Sequence, residues 1–295
     1  KRMENAKEHF LNAIAKDSDF ALAWAGLSWT YRVMGEFRDS HLTNLYFNKA
    51  MDAAVKAVLY GPDLSEPYSM MGEIIKSITL NPLTGLEMSR KAVKINPNNG
   101  EAYSVLGFAL TEAGLFKEAE TVLQKAKELD PLSQWMRASW IQYFQNSRNI
   151  EGLKKFSTMF KNSVTQPEAA FSNAYAHFLN DEFDSVLLYS KKYDDRNYDD
   201  WSFWLGMSYA GLGQKGNALI AIDTMKARST ESDYFHGSAI IYAWMNEKEK
   251  AMDRLEKAYE LHNTYLKAIK VNKVYDPLRN EPRFKELLRK MGVEQ

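Results

Sequence analysis

The 295-residue chain contains no cysteine, which excludes disulfides, thiolate catalysis and Cys-bound zinc while leaving the compartment open. It carries no net charge, 38 Lys and Arg balancing 38 Asp and Glu, so no global field draws it to nucleic acid or anionic lipid. No apolar run approaches the roughly 18 residues of a membrane span. Localisation cannot be read from these features; a cytoplasmic setting is favoured over a periplasmic one. Histidine is sparse: His9, His41, His177, His236 and His262 are scattered, and none has a second His three to five residues away, as a paired-His metal motif requires. A Gly-rich phosphate loop and a nucleophile elbow are also missing. Carboxylate pairs such as Glu118 with Glu120, or Asp199 with Asp200, fall on outer helix faces or in loops, where solvation explains them. No catalytic, cofactor-binding or metal residue is assigned, and no enzyme activity or cofactor is expected.

What the chain does have is a repeat. From Gly100 to Pro131, Tyr103, Leu106, Gly107 and Leu110 make one helical face, Gly114 lets the chain reverse, and Ala119, Leu123 and Ala126 make a second face that Pro131 ends. Upstream, Tyr68, Met71, Gly72 and Ile75 with Gly85, Ser89, Ala92 and Pro97 repeat the pattern. Before them Trp24, Leu27 and Tyr31 with Ala50, Ala54, Ala57 and Pro62 repeat it again, with extra residues around Glu36 to Phe47. Downstream, Leu205, Gly206, Tyr209, Gly213 and Ala218 form a clear pair, and Ala239, Tyr242, Ala251, Leu255 and Ala258 another. Two degenerate pairs fill the interval between Gln134 and Tyr193, where Leu153, Phe156 and Phe160 keep a helical stripe without the small residues.

The repeat from Gly100 to Pro131 resembles the tetratricopeptide repeat (TPR), and the copies extend the resemblance over nearly the whole chain. It implies an all-α fold: a right-handed α-solenoid, or superhelix, of about seven TPR-like helix pairs with a C-terminal capping helix. Ala6, Phe10, Ala13 and Ser18 reproduce the second-helix spacing without a first helix, so the sequence is expected to be a piece of a longer protein. The expected divisions are an orphan second helix at 1–18, well-formed repeats at 19–131 with a widened first repeat at 19–62, degenerate repeats at 132–198, TPR-like repeats at 199–262 and a cap at 263–295. The acidic stretch from Asp194 to Asp200 reads as a solvated loop or a hinge. In the cap, Pro282 suits a first helical position, and Phe284, Leu287, Leu288 and Met291 share a face that would cover the last repeat.

Three stretches narrow the resemblance to the TPR regions of bacterial signalling proteins: Leu45 to Ala57, Leu129 to Ser133 with Trp135, and Asp276-Pro277-Leu278-Arg279 followed by Pro282, Arg283 and Phe284. Such regions follow a winged-helix, nucleotide cyclase or kinase effector, so an effector domain upstream of Lys1 is one implied partner. In TPR proteins the first helices line a concave groove that meets a peptide or another helix. The corresponding candidates are Leu22, Ala25, Trp29 and Arg32, then Glu66, Ser69, Glu73 and Lys76, then Glu101, Ser104, Phe108 and Thr111. Ala25 and Trp29 stand where a co-chaperone carboxylate clamp would need Lys and Asn, which argues against that clamp. Trp29 and Phe108 suggest an apolar anchor instead, against the plainer reading that each packs on a neighbouring helix.

Trp24, Tyr68, Tyr103 and Tyr209 sit at signature packing positions. The aromatics Trp135, Trp140, Tyr143 and Phe144, and Trp201, Phe203 and Trp204, read as core with a second contact surface as the alternative. The basic C-terminal stretch, from Lys267 to Lys290, reads as a solvated face rather than a nucleic-acid site. The expected function is a non-catalytic protein-interaction and regulatory module that binds a peptide, a partner protein or its own effector in the groove. The alternative is a small-molecule sensor.

Overall fold

A computed structural model describes residues 2–36, 40–159, 166–193 and 200–294. Among the described residues the chain is all-α, without a strand. It divides into two compact units, Lys1–Tyr143 with Leu266–Ala268, and Phe144–Tyr265 with Ile269–Gln295. This division falls inside one helix, and residues 194–199 of the acidic connector lie outside the described residues.

The first unit opens with α1 (Arg2–Lys16). Three helix pairs follow: α2 (Ala21–Glu36) with α3 (Ser40–Tyr60), α4 (Ser65–Thr79) with α5 (Leu86–Ile95), and α6 (Gly100–Glu112) with α7 (Phe116–Leu129). The partners of each pair pack on each other, and the first helices α2, α4 and α6 also touch in sequence. Small side chains make this spacing possible. Ala50, Ala54, Ala57, Ala92, Ala102, Ala119 and Ala126 are fully buried, and a Cβ on Gly107 would lie 2.3 Å from Leu123 Cδ2. Residues around Leu45 lengthen α3 to 21 residues, which is how the widened first repeat is accommodated.

Helix α8 (Gln134–Asn146) crosses the division. The second unit continues with α9 (Ile150–Met159), α10 (Gln166–Leu179) with α11 (Phe183–Tyr193), α12 (Asp200–Gly211) with α13 (Lys215–Arg228), and α14 (Glu231–Trp244) with α15 (Lys248–Glu260). Its core is aromatic: Trp204 lies edge-on to Phe171, Tyr175 and Phe178 at 5.6, 5.4 and 5.6 Å, and Trp244 to Phe178 and Phe183 at 5.5 and 5.2 Å. With α8 paired to α9, seven helix pairs occur among the described residues.

Five of these pairs reverse by one device. A residue with positive φ follows the first helix, and the next amide donates to the carbonyl five residues back. Gly114 and Gly213 supply the left-handed residue at φ 78° and 72°, but Arg148, Asp181 and Asn246 do so at 58°, 59° and 63°. The matching bonds are Leu115 to Leu110, Asn149 to Phe144, Glu182 to His177, Gln214 to Tyr209 and Glu247 to Tyr242, all at 2.8 to 3.0 Å. The degenerate repeats thus keep the turn while losing its glycine.

Two 3-10 turns, Thr264–Ala268 and Lys273–Leu278, and α16 (Pro282–Lys290) end the chain. The motif from Asp276 to Arg279 ties the cap in place within the second unit. Arg279 donates to the carbonyls of Lys270 and Asn272 at 2.6 and 2.9 Å and to Asp276 Oδ1 at 2.6 Å, and Arg148 reaches the same oxygen at 2.7 Å. Lys273 is buried and donates to the carbonyls of Phe178 and Leu179 and to Asp181. Arg283 pairs with Glu249, Asp253 and Glu256. The reading of the whole basic stretch as a solvated face is therefore corrected: Lys267 and Lys273 are buried, because carboxylates and backbone carbonyls of the repeats replace water around them.

Candidate binding surface

The inner faces of α2, α4 and α6 meet in a chain of charges. On α2, Arg32 Nη1 lies 2.7 Å from Glu36 Oε1, one helical turn on. On α4, Lys76 Nζ, with no exposed surface, lies 2.7 Å from Glu73 Oε1 and reaches across to Glu112 Oε2 of α6 at 2.8 Å. The same ammonium stands 4.9 Å from the centre of the Phe108 ring, and Gln142 of α8 donates weakly to Glu112 Oε1 at 3.5 Å. The third cation comes from far along the chain. Lys267, in the turn Thr264–Ala268, places Nζ 3.5 Å from Glu36 Oε1 and 3.4 Å from Ser77 Oγ. Leu266, Lys267 and Ala268 belong to the first unit and are all buried, Leu266 completely.

Charges out of water persist only when paired, and the protonation tendencies here follow that rule. Burial alone would raise the Glu36 and Glu73 carboxyls, but both are held below the ordinary carboxylate range, Glu36 by Arg32 and Lys267, and Glu73 by Lys76, Arg32 and Lys267. Burial would likewise depress Lys76, yet Glu112 and Glu73 raise it above the ordinary lysine value. Glu36, Glu73 and Lys76 are thus held in their charged forms at neutral pH.

The candidates read from the sequence fall into three groups. Arg32, Glu73 and Lys76 are members of this network, and Ser69, Ser104 and Thr111 are buried beside it; Ser104 and Thr111 donate back to the carbonyls of Gly100 and Gly107 in their own helix. Trp29 and Phe108 are partly buried. Trp29 packs against the cluster of Ala50, Ala54, Met70 and Ile74, the plainer of its two readings, and Phe108 lies beneath Lys76. Leu22 and Glu101 are exposed, and Glu66 accepts a 3.2 Å hydrogen bond from Asn99. Asn99 also caps α6 and donates to Ser65 Oγ at 2.8 Å, linking the starts of successive first helices. Asn263 repeats that bridge in the second unit, donating to Ser232 and Asp233.

Sequence reading did not single out Glu36, Glu112 or Gln142, and it placed Lys267 on a solvated face. Glu36 and Glu112 were detectable as one-turn or adjacent neighbours of Arg32 and Thr111. Lys267 carried no local signal, lying 231 residues from Glu36. The aromatics after Pro131 and in α12 are mostly interior: Trp140, Tyr143, Trp201 and Trp204 are buried, and burial with the nearby Glu120 pushes the Tyr143 hydroxyl up to about 12. Among the described residues no group of three or more His, Cys, Asp or Glu is placed to hold a metal, and no helix is long and apolar enough to cross a membrane.

No family model matches the chain. A curated relative, the small glutamine-rich tetratricopeptide repeat-containing protein 2 of Mycosarcoma maydis, is 30% identical over 91 residues, 31% of this chain and 26% of that protein. The match therefore spans about a quarter of the relative's length. Among solved structures, the human IFIT1 dimer with PPP-AAAA superposes with a TM-score of 0.54 at 14% identity, covering 92% of this chain and 72% of that one. Yeast Tom70 superposes with a TM-score of 0.52 at 16% identity, covering 97% of this chain and 62% of that one. At these identities the structural likeness is one of fold.

Proposed function

We propose that this chain, whose fold is that of tetratricopeptide-repeat solenoids, is a non-catalytic interaction module whose first helices α2, α4 and α6 bind a peptide, a partner protein or an effector domain. The observation that supports this reading is the polar face of those helices. Backbone and side-chain groups from three repeats converge on it, and a short segment, Leu266–Ala268, already beds against it through Lys267. A surface that seats one short helical turn, Thr264–Ala268, has charged anchors that suit a partner segment as well. The buried network fixes the arrangement of the three first helices, while Leu22, Glu66 and Glu101 supply the rim that a partner can reach.

Peptides selected from a random library on the full chain test this. Binding is expected to fall at least about tenfold in a Glu66→Lys, Glu101→Lys variant, because rim charges set encounter and register. Leu188→Lys, on exposed α11 surface of the second unit, should leave binding unchanged. Thermal melting monitors folding of both variants. Selected peptides that ignore the rim substitutions but respond to Leu188→Lys would place the binding face elsewhere.

A further inference from the structure

Asn99-Gly100 is the chain's single Asn-Gly bond, and it stands at the joint between the second and third helix pairs. The Asn99 side-chain amide ties three groups together. Its Oδ1 accepts from the Ala102 amide at 3.0 Å and so caps α6, while Nδ2 donates to Ser65 Oγ at 2.8 Å and to Glu66 Oε1 at 3.2 Å, both at the start of α4. The surroundings are acidic. Burial raises the Glu101 carboxyl above its ordinary range, and the charges of Glu66 and Asp130 add to that effect. One neutral amide thus supplies hydrogen-bond donors in a setting of three carboxylates.

The residue that follows leaves this amide open to attack. Gly100 is the first residue of α6, where a backbone N–H has no acceptor within its own helix, and it brings no side chain to shield the neighbouring Cγ. Packing favours glycine here for a separate reason: a Cβ on Gly100 would crowd Asp130 Cβ at 3.2 Å and Leu129 Cβ at 3.3 Å. Asn99 itself is only partly buried. Its bond to Ala102 holds the side chain in the cap, so reaction occurs when this helix end frays.

We propose that Asn99 is a site of spontaneous deamidation, and that loss of its amide uncouples the start of α6 from the start of α4. The Gly100 nitrogen attacks Asn99 Cγ; a new C–N bond forms, the Cγ–Nδ2 bond breaks, and Nδ2 leaves as ammonia with the proton from the Gly100 N–H. A five-membered succinimide results. Water then opens this ring at Cγ, giving aspartate, or at the main-chain carbonyl, giving isoaspartate. One water is consumed, one ammonia is released, and nothing is oxidised or reduced. Either product replaces the two Nδ2 donors by a carboxylate, so Glu66 meets a like charge where it had a hydrogen bond. Isoaspartate also lengthens the main chain by one carbon at the cap. This chemistry is independent of the binding role proposed above.

The full chain, aged in warm buffer at about pH 8 and about pH 6, tests this by peptide mass spectrometry. Asn99 should gain about 1 Da, with release of ammonia, and do so faster at the higher pH, where the attacking nitrogen loses its proton more readily. Asn98, which is followed by Asn99 instead of glycine, is the internal reference and should convert at least about tenfold more slowly. The aged chain should melt about 2–4 °C lower than the fresh one, and a fresh Asn99→Asp chain should show a shift in the same direction. High salt should narrow the Asn99→Asp difference, since part of it is repulsion from Glu66. Ageing should leave the melting temperature of Asn99→Ser unchanged, because serine keeps a cap and has no amide to lose.

An Asn99 that keeps its amide while Asn98, or a synthetic peptide of residues 96–103, loses one would overturn the proposed site. An Asn99→Asp chain as stable as the unaltered one would overturn the proposed uncoupling.

Discussion

Both units bury alanines between their helices, Ala174, Ala218, Ala239, Ala251 and Ala258 in the second as Ala50, Ala54 and Ala119 in the first, but they fill the remaining space differently. In the first, buried alanines let helices approach closely, and the inner face left over is filled by paired charges around Lys76. In the second, Phe178, Trp204 and their aromatic neighbours fill the interior, and the polar work is transferred to the cap, where Arg279 and Lys273 satisfy backbone carbonyls. Small residues preserve the repeat signature because the signature is a record of close contacts. Aromatics blur it, since a large ring fills space in many orientations and tolerates looser spacing. The regular unit is also the one that carries the paired charges of Arg32, Glu36, Glu73, Lys76 and Glu112.

The sharpest way to break this comparison is to remove the central group of each interior. Trp204→Ala should cost about 3–5 kcal/mol, read by denaturant unfolding, through loss of buried contacts and a residual cavity. Lys76→Met should cost about 3 kcal/mol or more by the same measurement, since Glu73 and Glu112 would keep their charges without the ammonium between them. Adding Glu112→Gln to Lys76→Met should recover part of that loss. A Trp204-sized effect from Lys76→Met without any recovery would mean that packing, not charge, dominates both units.

Acid should separate the units. His236 in the second unit lies 2.8 Å from the Tyr275 hydroxyl and stacks on Tyr265, and burial lowers it from 6.5 to about 4. The unfolded chain binds this proton first, so the contribution is complete above about pH 6.5 and is lost as pH falls towards 4, a change on the order of 3 kcal/mol. In the first unit Glu36 and Glu73 are depressed below 4.5, so their contribution is complete above that value and disappears only at lower pH. Tryptophan fluorescence and amide exchange should show the second unit loosening first, and His236→Phe should flatten the slope between pH 6.5 and 4.

Smaller changes test the spacing and the turns. Gly107→Ala places a methyl 2.3 Å from Leu123 Cδ2 and 2.6 Å from its Cγ, and should lower stability by about 1–3 kcal/mol in thermal unfolding. Asn246→Gly, at φ 63°, should raise stability by roughly 0.5 kcal/mol by removing the left-handed penalty. Loss of stability at Asn246→Gly would show that its side chain contributes more than its backbone conformation costs.

Helix pairs, their number and the closing helix were legible because each is a local pattern: apolar residues at helical spacing, a turn, a stop. The turns of the degenerate pairs were less so, since Arg148 and Asp181 adopt the glycine conformation without being glycine. The polar face of α2, α4 and α6 was legible in part. Arg32, Glu73 and Lys76 could be assigned to inner positions one repeat at a time, but their burial in a shared network could not.

From the residues alone came the repeating helix pair, its all-α consequence and the absence of catalytic motifs, because these depend on neighbours within about 34 positions. Tertiary structure alone decided that the division falls inside α8, that Trp204 meets Phe171, Tyr175 and Phe178 edge-on, and that Lys267 lies beside Glu36 of α2. The physical reason is the range of the forces. Helical periodicity is set by backbone geometry within a few residues, whereas a buried ion pair depends only on distance in space, and 231 positions of chain leave no trace of it in the sequence.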